Sequence, residues 1–215
     1  MHLMSTPTGN KRRSRGQLSR DLVLDAALEL IDEVGLKGLT MRALANALDC
    51  APMTLYSYVS DRDDLLQGVL GLVIKRLDLR YIPGESWQDC ARRTVQSYRV
   101  LAHEHPYAFE LLVYADNDVD PVAPYFERLL WLFQKGGLGE EASEAFLSVA
   151  DGFTSGFLLY ESRSLVRHRE SSTHHDEHER ERAHLAELHA QKAFDVGFDV
   201  VIRGIEATFP DSVGE

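Results

Sequence analysis

The sequence predicts an all-α fold with two parts, a small N-terminal module of short helices and a larger helical domain. Three observations support this prediction. Apolar residues recur at the i, i+3, i+4 spacing of amphipathic helices in one segment after another. Residues that favour helix N-termini, such as Ser, Thr and Asp, precede several of these segments. No segment alternates apolar and polar residues as a half-buried strand does, and no apolar run reaches the ~18 residues of a membrane-spanning helix.

The first two predicted helices form the start of the N-terminal module. Ser19 is expected to cap the first helix and Gly35 to end it. After the turn "GLKGLT", Thr40 is expected to cap a second, shorter helix that ends near Asp49. The apolar positions of the two helices are Val23, Ala26, Ala27, Leu30, Ile31 and Val34 in the first, and Met41, Leu44, Ala45 and Leu48 in the second.

The stretch "CAPMTLYSYVSDRDDLL", residues 50–66, predicts a third short helix and the start of a fourth. Pro52 suits the first position of a helix, because its φ is already helical and its missing N–H is not needed there. Leu55 and Val59 are four residues apart and are expected to face the core. Ser60 is expected to cap the fourth helix, which should extend to about Leu79.

Beyond the break at Pro83 and Gly84, every strong pattern is helical. The polar segment 167–182 predicts either a mobile loop or the solvated start of the last helix. The expected helices cover residues 87–103, 106–114, 121–135, 140–167 and 184–208.

The second and third predicted helices are joined by only a few residues, which is typical of a helix-turn-helix. In that motif the last short helix enters the major groove of DNA. With Leu55 and Val59 turned inward, Thr54, Ser57 and Tyr58 are free to reach base edges and phosphates. The alternative is a connector whose tyrosines are half-buried in a core.

The charge distribution is compatible with DNA binding by the N-terminal module. The net charge of −11 opposes a nucleic-acid partner, but the first 76 residues carry ten Lys or Arg against nine Asp or Glu. Phosphate binding requires local positive charge only.

The two cysteines have no metal or redox spacing, and the polar N-terminus has no apolar core of a secretory signal. These features predict a cytoplasmic protein.

The stretch "GLTMRALANALDCAPMTLYSYVSDRDDLL" resembles the DNA-binding signature of the tetracycline-repressor (TetR) family of transcriptional regulators. The resemblance is strong over residues 18–70. It implies a basic flexible arm at 1–17, a helix-turn-helix DNA-binding domain at 18–64, and a helical effector-binding and dimerisation domain at 65–215. It further implies a homodimeric repressor that binds a palindromic double-stranded operator. Binding of a small hydrophobic effector would release this repressor from the operator. An enzyme activity, a cofactor and a membrane partner are not expected.

The resemblance also assigns DNA contacts to individual residues. Arg62 and the start of the second helix would touch phosphates, Tyr56 would touch the backbone, and the remaining residues would face bases. The full set is Thr40, Arg42, Pro52, Met53, Thr54, Tyr56, Ser57, Tyr58 and Arg62.

Two positions depart from the family pattern. Asp49 replaces a common Gly, and Ala51 replaces a capping Ser or Thr, which could cost ~1 kcal/mol.

Within the larger domain, the effector cavity and the dimer interface are expected among aromatic residues and glycines. An apolar, aromatic-lined cavity is the usual form of a small-molecule site, although helical spacing favours a place in the core for most of these aromatic side chains. The expected cavity residues are Tyr98, Phe109, Leu112, Trp131, Phe153 and Phe157. The expected interface residues are Gly152, Gly156, Phe194, Phe198, Val201, Ile202 and Ile205, with packing inside one protomer as the alternative.

The histidines raise two rival hypotheses. His174 and His178 are four residues apart, a spacing that can hold a metal on one helix face, but an exposed polar tract with chance histidines is the favoured explanation, and no metal site is expected. One rival function is a small-molecule or metal-binding helical protein with a vestigial helix-turn-helix. The other is a metal-dependent enzyme, but the sequence has no nucleophile–base motif or zinc-protease spacing to support it.

Overall fold

In a computed structural model of the chain, the structure describes residues 18–116, 120–171 and 177–212, with side chains except those of 165–187. The described residues form helices and no strands, which confirms the all-α prediction. The helices are α1 (Arg20–Gly38), α2 (Met41–Ala47), α3 (Pro52–Leu55), α4 (Arg62–Ile74), α5 (Trp87–Glu104), α6 (Pro106–Val113), α7 (Ala123–Lys135), α8 (Glu140–Ser171) and α9 (Glu177–Thr208). A 3₁₀ turn, Pro210–Ser212, follows α9.

The predicted caps of α1 and α2 are confirmed. Ser19 Oγ accepts a hydrogen bond from the N–H of Leu22 at 3.2 Å, and Thr40 Oγ1 accepts one from Ala43 at 3.1 Å. Gly35 breaks α1 with φ 72° and ψ 171°, after which one further turn extends to Gly38. This region of backbone space is almost exclusive to glycine, so Gly35 sets the direction in which the chain leaves α1.

Helix α4 differs from its prediction at both ends. The N-cap is Asp61, whose carboxylate accepts from the N–H of Asp64 at 2.8 Å, and not Ser60. A carboxylate at this position also interacts favourably with the helix dipole. The helix ends at Ile74 and not near Leu79. The predicted domain boundary between residues 64 and 65 falls inside α4, which packs against both α1 and α6.

The connector between α4 and α5, residues 75–86, is held to the larger domain by Arg93. Its guanidinium forms ion pairs with Glu85 at 2.7 Å and with Asp78 at 2.8 Å. It also donates to the backbone carbonyls of Asp78 and Arg80. Since Arg93 lies on α5, this network sets the position of the N-terminal module relative to the rest of the chain.

The core of the larger domain is built around aromatic side chains of α5, α7, α8 and α9. Phe146 of α8 packs edge-on against Trp87 and Phe133, with ring centroids 5.1 Å apart in both pairs. Gly197 allows α9 to approach α8 closely, because a Cβ there would lie 2.5 Å from the ring of Phe153. The predicted starts of α5, α6 and α8 match, whereas α7 begins two residues later and α9 seven residues earlier than expected.

Candidate nucleic-acid interface and effector cavity

The third helix is a four-residue helix held by two buried anchors. Leu55 is fully buried and Val59 is 2% exposed, which confirms both as core residues. Met53 is 76% exposed and Tyr56 is 45% exposed, and the side chains of Pro52 and Ser57 are also exposed. Thr54 and Tyr58 are partly buried. The residues expected at the bases therefore form one row, on α3 and on the turn that follows it.

The two departures around α3 are accommodated by the local backbone. Asp49 adopts a left-handed conformation with φ 51°, which aspartate tolerates better than most residues. Ala51 occupies the N-cap position of α3 without a side-chain hydrogen bond, and Pro52 follows at the first position. The tight turn is kept, while the start of α3 relies on the proline.

An ion pair that was not predicted from the sequence holds the end of this row in place. Arg20 at the start of α1 forms a bidentate contact with Asp64, at 2.6 and 3.2 Å, and donates to the carbonyl of Tyr58 at 2.7 Å. Asp64 also accepts from the backbone N–H of Ser60 at 2.8 Å. The hydrogen bonds from Arg20 and Ser60 lower the pKa of Asp64 to about 2. The pair thus joins α1, the turn that follows α3, and α4.

The expected phosphate contacts lie at the N-terminal ends of α2 and α4. Thr40 and Arg42 are exposed at the start of α2, where the first free N–H groups of a helix attract anions. Arg62 opens α4, and its guanidinium donates to the carbonyls of Leu36 at 2.9 Å and Leu39 at 3.4 Å. Arg62 therefore fixes the turn between α1 and α2, and its role in phosphate contact stays a prediction.

Helix α6 joins the module to the larger domain. His105 lies between α5 and α6, and its Nδ1 is 2.7 Å from a carboxylate oxygen of Asp32 on α1. Its Nε2 contacts Arg76, which follows α4. The ring of Tyr107 packs over the α1 break at Gly35. A shift of α6 would therefore move both α1 and the end of α4.

A small cavity lies between α5, α7, α8 and α9, with a volume of about 40 Å³. Ligand pockets typically measure ~300–1,000 Å³, so a drug-sized molecule requires this cavity to widen. Its lining is mostly apolar and consists of Ala91, Thr94, Val95, Tyr98, Tyr125, Phe126, Leu129, Phe133, Phe146, Leu147, Ala150, Asp151, Thr154 and Phe198.

Of the residues expected at the cavity, Tyr98 lines it and the others lie elsewhere. Phe109 is fully buried against the ring of Tyr98, and Leu112 is buried near it on α6. Trp131 is 38% exposed and packs with Tyr81 and Arg128 on the surface. Phe153 and Phe157 pack against Phe194 between α8 and α9. Helical spacing alone does not tell which face of a helix meets the cavity.

Helices α8 and α9 both expose apolar side chains. A Cβ added at Gly152 or Gly156 would meet nothing within 4 Å. The large exposed hydrophobic side chains are Val149 and Tyr160 on α8, and Leu188, Val196 and Val200 on α9. Among the expected interface residues, Val201 is partly buried, whereas Phe194, Phe198, Ile202 and Ile205 are buried inside the protomer. The apolar positions divide into a face that packs inward and a face left exposed.

Two protein-family descriptions match the chain. "Bacterial regulatory proteins, tetR family" matches residues 23–69. "Tetracyclin repressor-like, C-terminal domain" matches residues 82–209, which is more than half of the chain. The chain belongs to the TetR family of transcriptional regulators.

Curated TetR-family relatives are similar over part of their length. The chain is 32% identical over 151 residues to the Escherichia coli tetracycline repressor protein class E, covering 67% of this chain and 69% of that protein. An HTH-type transcriptional regulator of Saccharopolyspora erythraea is 34% identical over 99 residues, covering 46% of this chain and 42% of that protein. The match to the Escherichia coli class D repressor is 40% identical over 85 residues and spans 39% of each protein. The chain thus spans about two fifths of the length of the Saccharopolyspora erythraea regulator and of the class D repressor.

Solved TetR-family structures share the fold over most of the chain. TetR from Acinetobacter baumannii superposes with a TM-score of 0.71 at 21% identity, covering 89% of this chain and 98% of that one. BioQ in complex with its double-stranded DNA operator gives a TM-score of 0.64 at 21% identity, covering 89% and 99%. ActR of Streptomyces coelicolor with actinorhodin gives 0.68 at 23% identity, covering 90% and 99%.

As a family, TetR regulators bind DNA and are not enzymes. Within the described ranges, no helix has the length and apolar character to cross a membrane. The same residues contain no group of three or more His, Cys, Asp or Glu suited to a metal ion. His174, His175 and the basic arm at 1–17 lie outside the described residues, as do the side chains of His178 and His184.

Proposed function

We propose that the protein is a homodimeric, ligand-responsive transcriptional repressor of the TetR family, which binds a palindromic operator and is released by a small hydrophobic effector. The observation that carries this proposal is the exposed row on α3 and its following turn, backed by two buried anchors. A row of polar and aromatic side chains that the core does not require suits the reading of base edges. The proposed site of action is the cytoplasm, where operator DNA is accessible.

The proposed DNA contacts divide into two kinds. Thr40, Arg42 and Arg62 would contact phosphates, and Tyr56 would contact the backbone. Such contacts position a protein on DNA without reading its sequence. The base contacts would come from Pro52, Met53, Thr54, Ser57 and Tyr58.

The proposed dimer uses the exposed face of α8 and α9. Gly152 and Gly156 permit close approach of a partner helix, and Val149, Tyr160, Val196 and Val200 supply apolar area. A two-fold dimer presents two recognition helices about one DNA turn or a multiple of it apart, ~34–36 Å per turn. This geometry requires an operator with two inverted half-sites.

The proposed effector site is the cavity between α5, α7, α8 and α9. The similar structure of ActR in complex with actinorhodin supports a small-molecule effector. Since the cavity must widen to admit a ligand, binding would displace its walls. Helix α5 ends at His105, which contacts both Asp32 and Arg76. A displacement of α5 would therefore reach the DNA-binding helices, and a coupling of ~1–3 kcal/mol is typical of such systems.

The test is a mobility-shift assay with the DNA upstream of the protein's own gene, over a series of salt concentrations. A protein with several phosphate contacts loses affinity steeply as salt rises. Failure to bind any genomic fragment at low salt would overturn the repressor proposal. It would favour the vestigial helix-turn-helix instead.

A further inference from the structure

A single carboxylate lies in the aromatic cavity. Of the residues that line the cavity, Asp151 alone has an acidic or basic group other than a tyrosine hydroxyl, and six of the others are aromatic. Burial raises the pKa of Tyr98 and Tyr125, so both hydroxyls stay neutral. The cavity is therefore an apolar, ring-lined space with one carboxyl group in its wall.

Asp151 accepts a hydrogen bond from a serine hydroxyl. Its Oδ1 accepts from Ser155 Oγ at 3.2 Å, and Ser155 Oγ in turn lies 3.2 Å from the hydroxyl of Tyr98. Asp151 is partly buried, and in the part of the chain that the structure describes it forms no ion pair with a basic side chain. Burial raises the pKa of Asp151, and the bond from Ser155 offsets only part of that effect.

A more deeply buried acid on the same helix shows the contrast. Glu161 of α8 pairs with Arg99 at 2.6 Å and lies 2.9 Å from Nε2 of His103. Burial opposes the ionisation of Glu161, but the hydrogen bonds from His103 and Arg99 lower its pKa to about 2. A buried carboxylate is ordinarily supplied with a countercharge in this way. Within the described part of the chain, no basic side chain provides a countercharge for Asp151.

We propose that the effector is an organic cation, an amine or a quaternary ammonium on an apolar or aromatic body, with its charge placed against Asp151. This inference deepens the proposed function and rests on the same cavity. A cation restores the missing countercharge of the carboxylate. The faces of the surrounding rings also attract cations, by ~2 kcal/mol or more in a desolvated site. An anionic ligand would meet a desolvated negative group and be excluded.

The test compares a cation with its uncharged isostere in the absence of DNA. Benzyltrimethylammonium and neopentylbenzene have the same shape and differ in one charge. Calorimetric titration of the wild-type protein is expected to give binding of the cation that is at least about tenfold tighter than that of the isostere. Equal affinities, or no heat with the cation at millimolar concentration, would overturn the proposal.

Two variants assign the effect to the carboxylate. Asp151→Asn should weaken cation binding by about tenfold or more. It should also raise the melting temperature of the free protein at neutral pH, because it removes a partly buried charge that lacks a basic partner in the described chain. The matched control is Glu144→Gln, which removes an exposed acid from the same helix and should leave the cation affinity unchanged. Unchanged cation affinity in Asp151→Asn, or a lower melting temperature together with loss of the dimer, would show a structural role and overturn the proposal.

The wild-type protein is assayed separately for operator binding without any cation. Operator binding together with failure to bind the cation would overturn the ligand class and leave the repressor function standing. Cation binding without operator binding would have the opposite meaning, since the cavity assignment would hold and the DNA-binding function would fail.

Discussion

Among single residues, Asp64 lies where α1, the turn after α3 and α4 meet. Its carboxylate accepts hydrogen bonds from Arg20 and from the N–H of Ser60. The pair is partly exposed, with side-chain exposures of 43% for Arg20 and 31% for Asp64. Solvent screens such pairs, and a contribution of ~1 kcal/mol or less is expected. The main effect of the ion pair is on the position of the Tyr58 carbonyl, because Arg20 also donates a hydrogen bond to it.

We expect Asp64→Asn to lower the free energy of unfolding by up to ~1 kcal/mol at pH 7. The pKa of Asp64 is lowered from 3.8 to about 2, so its stabilising effect is present above pH 3.8 and is lost as the pH falls through about 2. Urea unfolding between pH 7 and pH 2 should show the difference between variant and wild type vanish over that window. Asp63→Asn, an exposed change in the same first turn, is the control and should alter the free energy of unfolding at pH 7 by no more than ~0.5 kcal/mol.

Arg42 tests the phosphate contacts without disturbing the core, since its side chain is exposed. Arg42→Ala should weaken binding to all DNA sequences alike and lower the slope of log affinity against log salt by about 0.9. Fluorescence anisotropy with operator and unrelated DNA over a salt series measures both effects. Arg80→Ala removes an exposed arginine from the connector and should leave the slope unchanged. A loss confined to the operator would instead assign base contact to Arg42.

At the scale of helices, the joint between α5 and α8 contains a buried ion pair. Glu161→Gln would leave Arg99, whose side chain is 8% exposed, without its charge partner. We expect a loss of ~3–5 kcal/mol in the free energy of unfolding, measured by urea. Glu110→Gln breaks the exposed pair with Arg163 and should cost ~1 kcal/mol or less. Similar losses in the two variants would mean that Arg99 finds another partner.

The joint between α1 and α6 depends on the backbone of Gly35. Gly35→Ala should cost ~1–3 kcal/mol, because alanine is strained at φ 72° even though the ring of Tyr107 leaves room for a Cβ. The control is Gly71→Ala within α4, where a Cβ would make ordinary contact with Pro121. That change should stabilise the protein by ~0.5–1 kcal/mol. Thermal unfolding of both variants separates the two effects, and equal stabilisation would refute the strained backbone.

The helices could be predicted from sequence because caps and apolar spacing are local signals. Ser19, Thr40 and Pro52 each act within a few residues, and all three begin helices as expected. The N-cap of α4 was assigned one residue too early, since Ser60 and Asp61 are both good capping residues. The cavity and the exposed face depend on how helices turn toward one another. Spacing shows that Phe194 and Val200 lie on different faces of α9 but does not tell which face is buried.

For the molecule as a whole, the proposed dimer places the exposed face of α8 and α9 at the interface, so this face would decide whether one or two copies of α3 meet DNA. Val200→Asp places a charge at a position that is 63% exposed in the protomer and buried in the proposed dimer. We expect the variant to be monomeric in sedimentation equilibrium and to lose most of its operator affinity, because each half-site then binds alone. Val100→Asp, at a valine 54% exposed on α5, is the control and should remain dimeric.

Around helix α3, the residues that hold the fold are separate from the residues proposed to read DNA. Leu55 and Val59 supply its attachment, while Met53 and Ser57 have little packing to lose when they change. Surface substitutions of that kind usually alter stability by no more than ~0.5 kcal/mol. Operator preference can therefore drift over generations at almost no cost to folding. A library randomised at Met53, Thr54 and Ser57 should stay folded, so new specificities can be selected from it without compensating changes elsewhere.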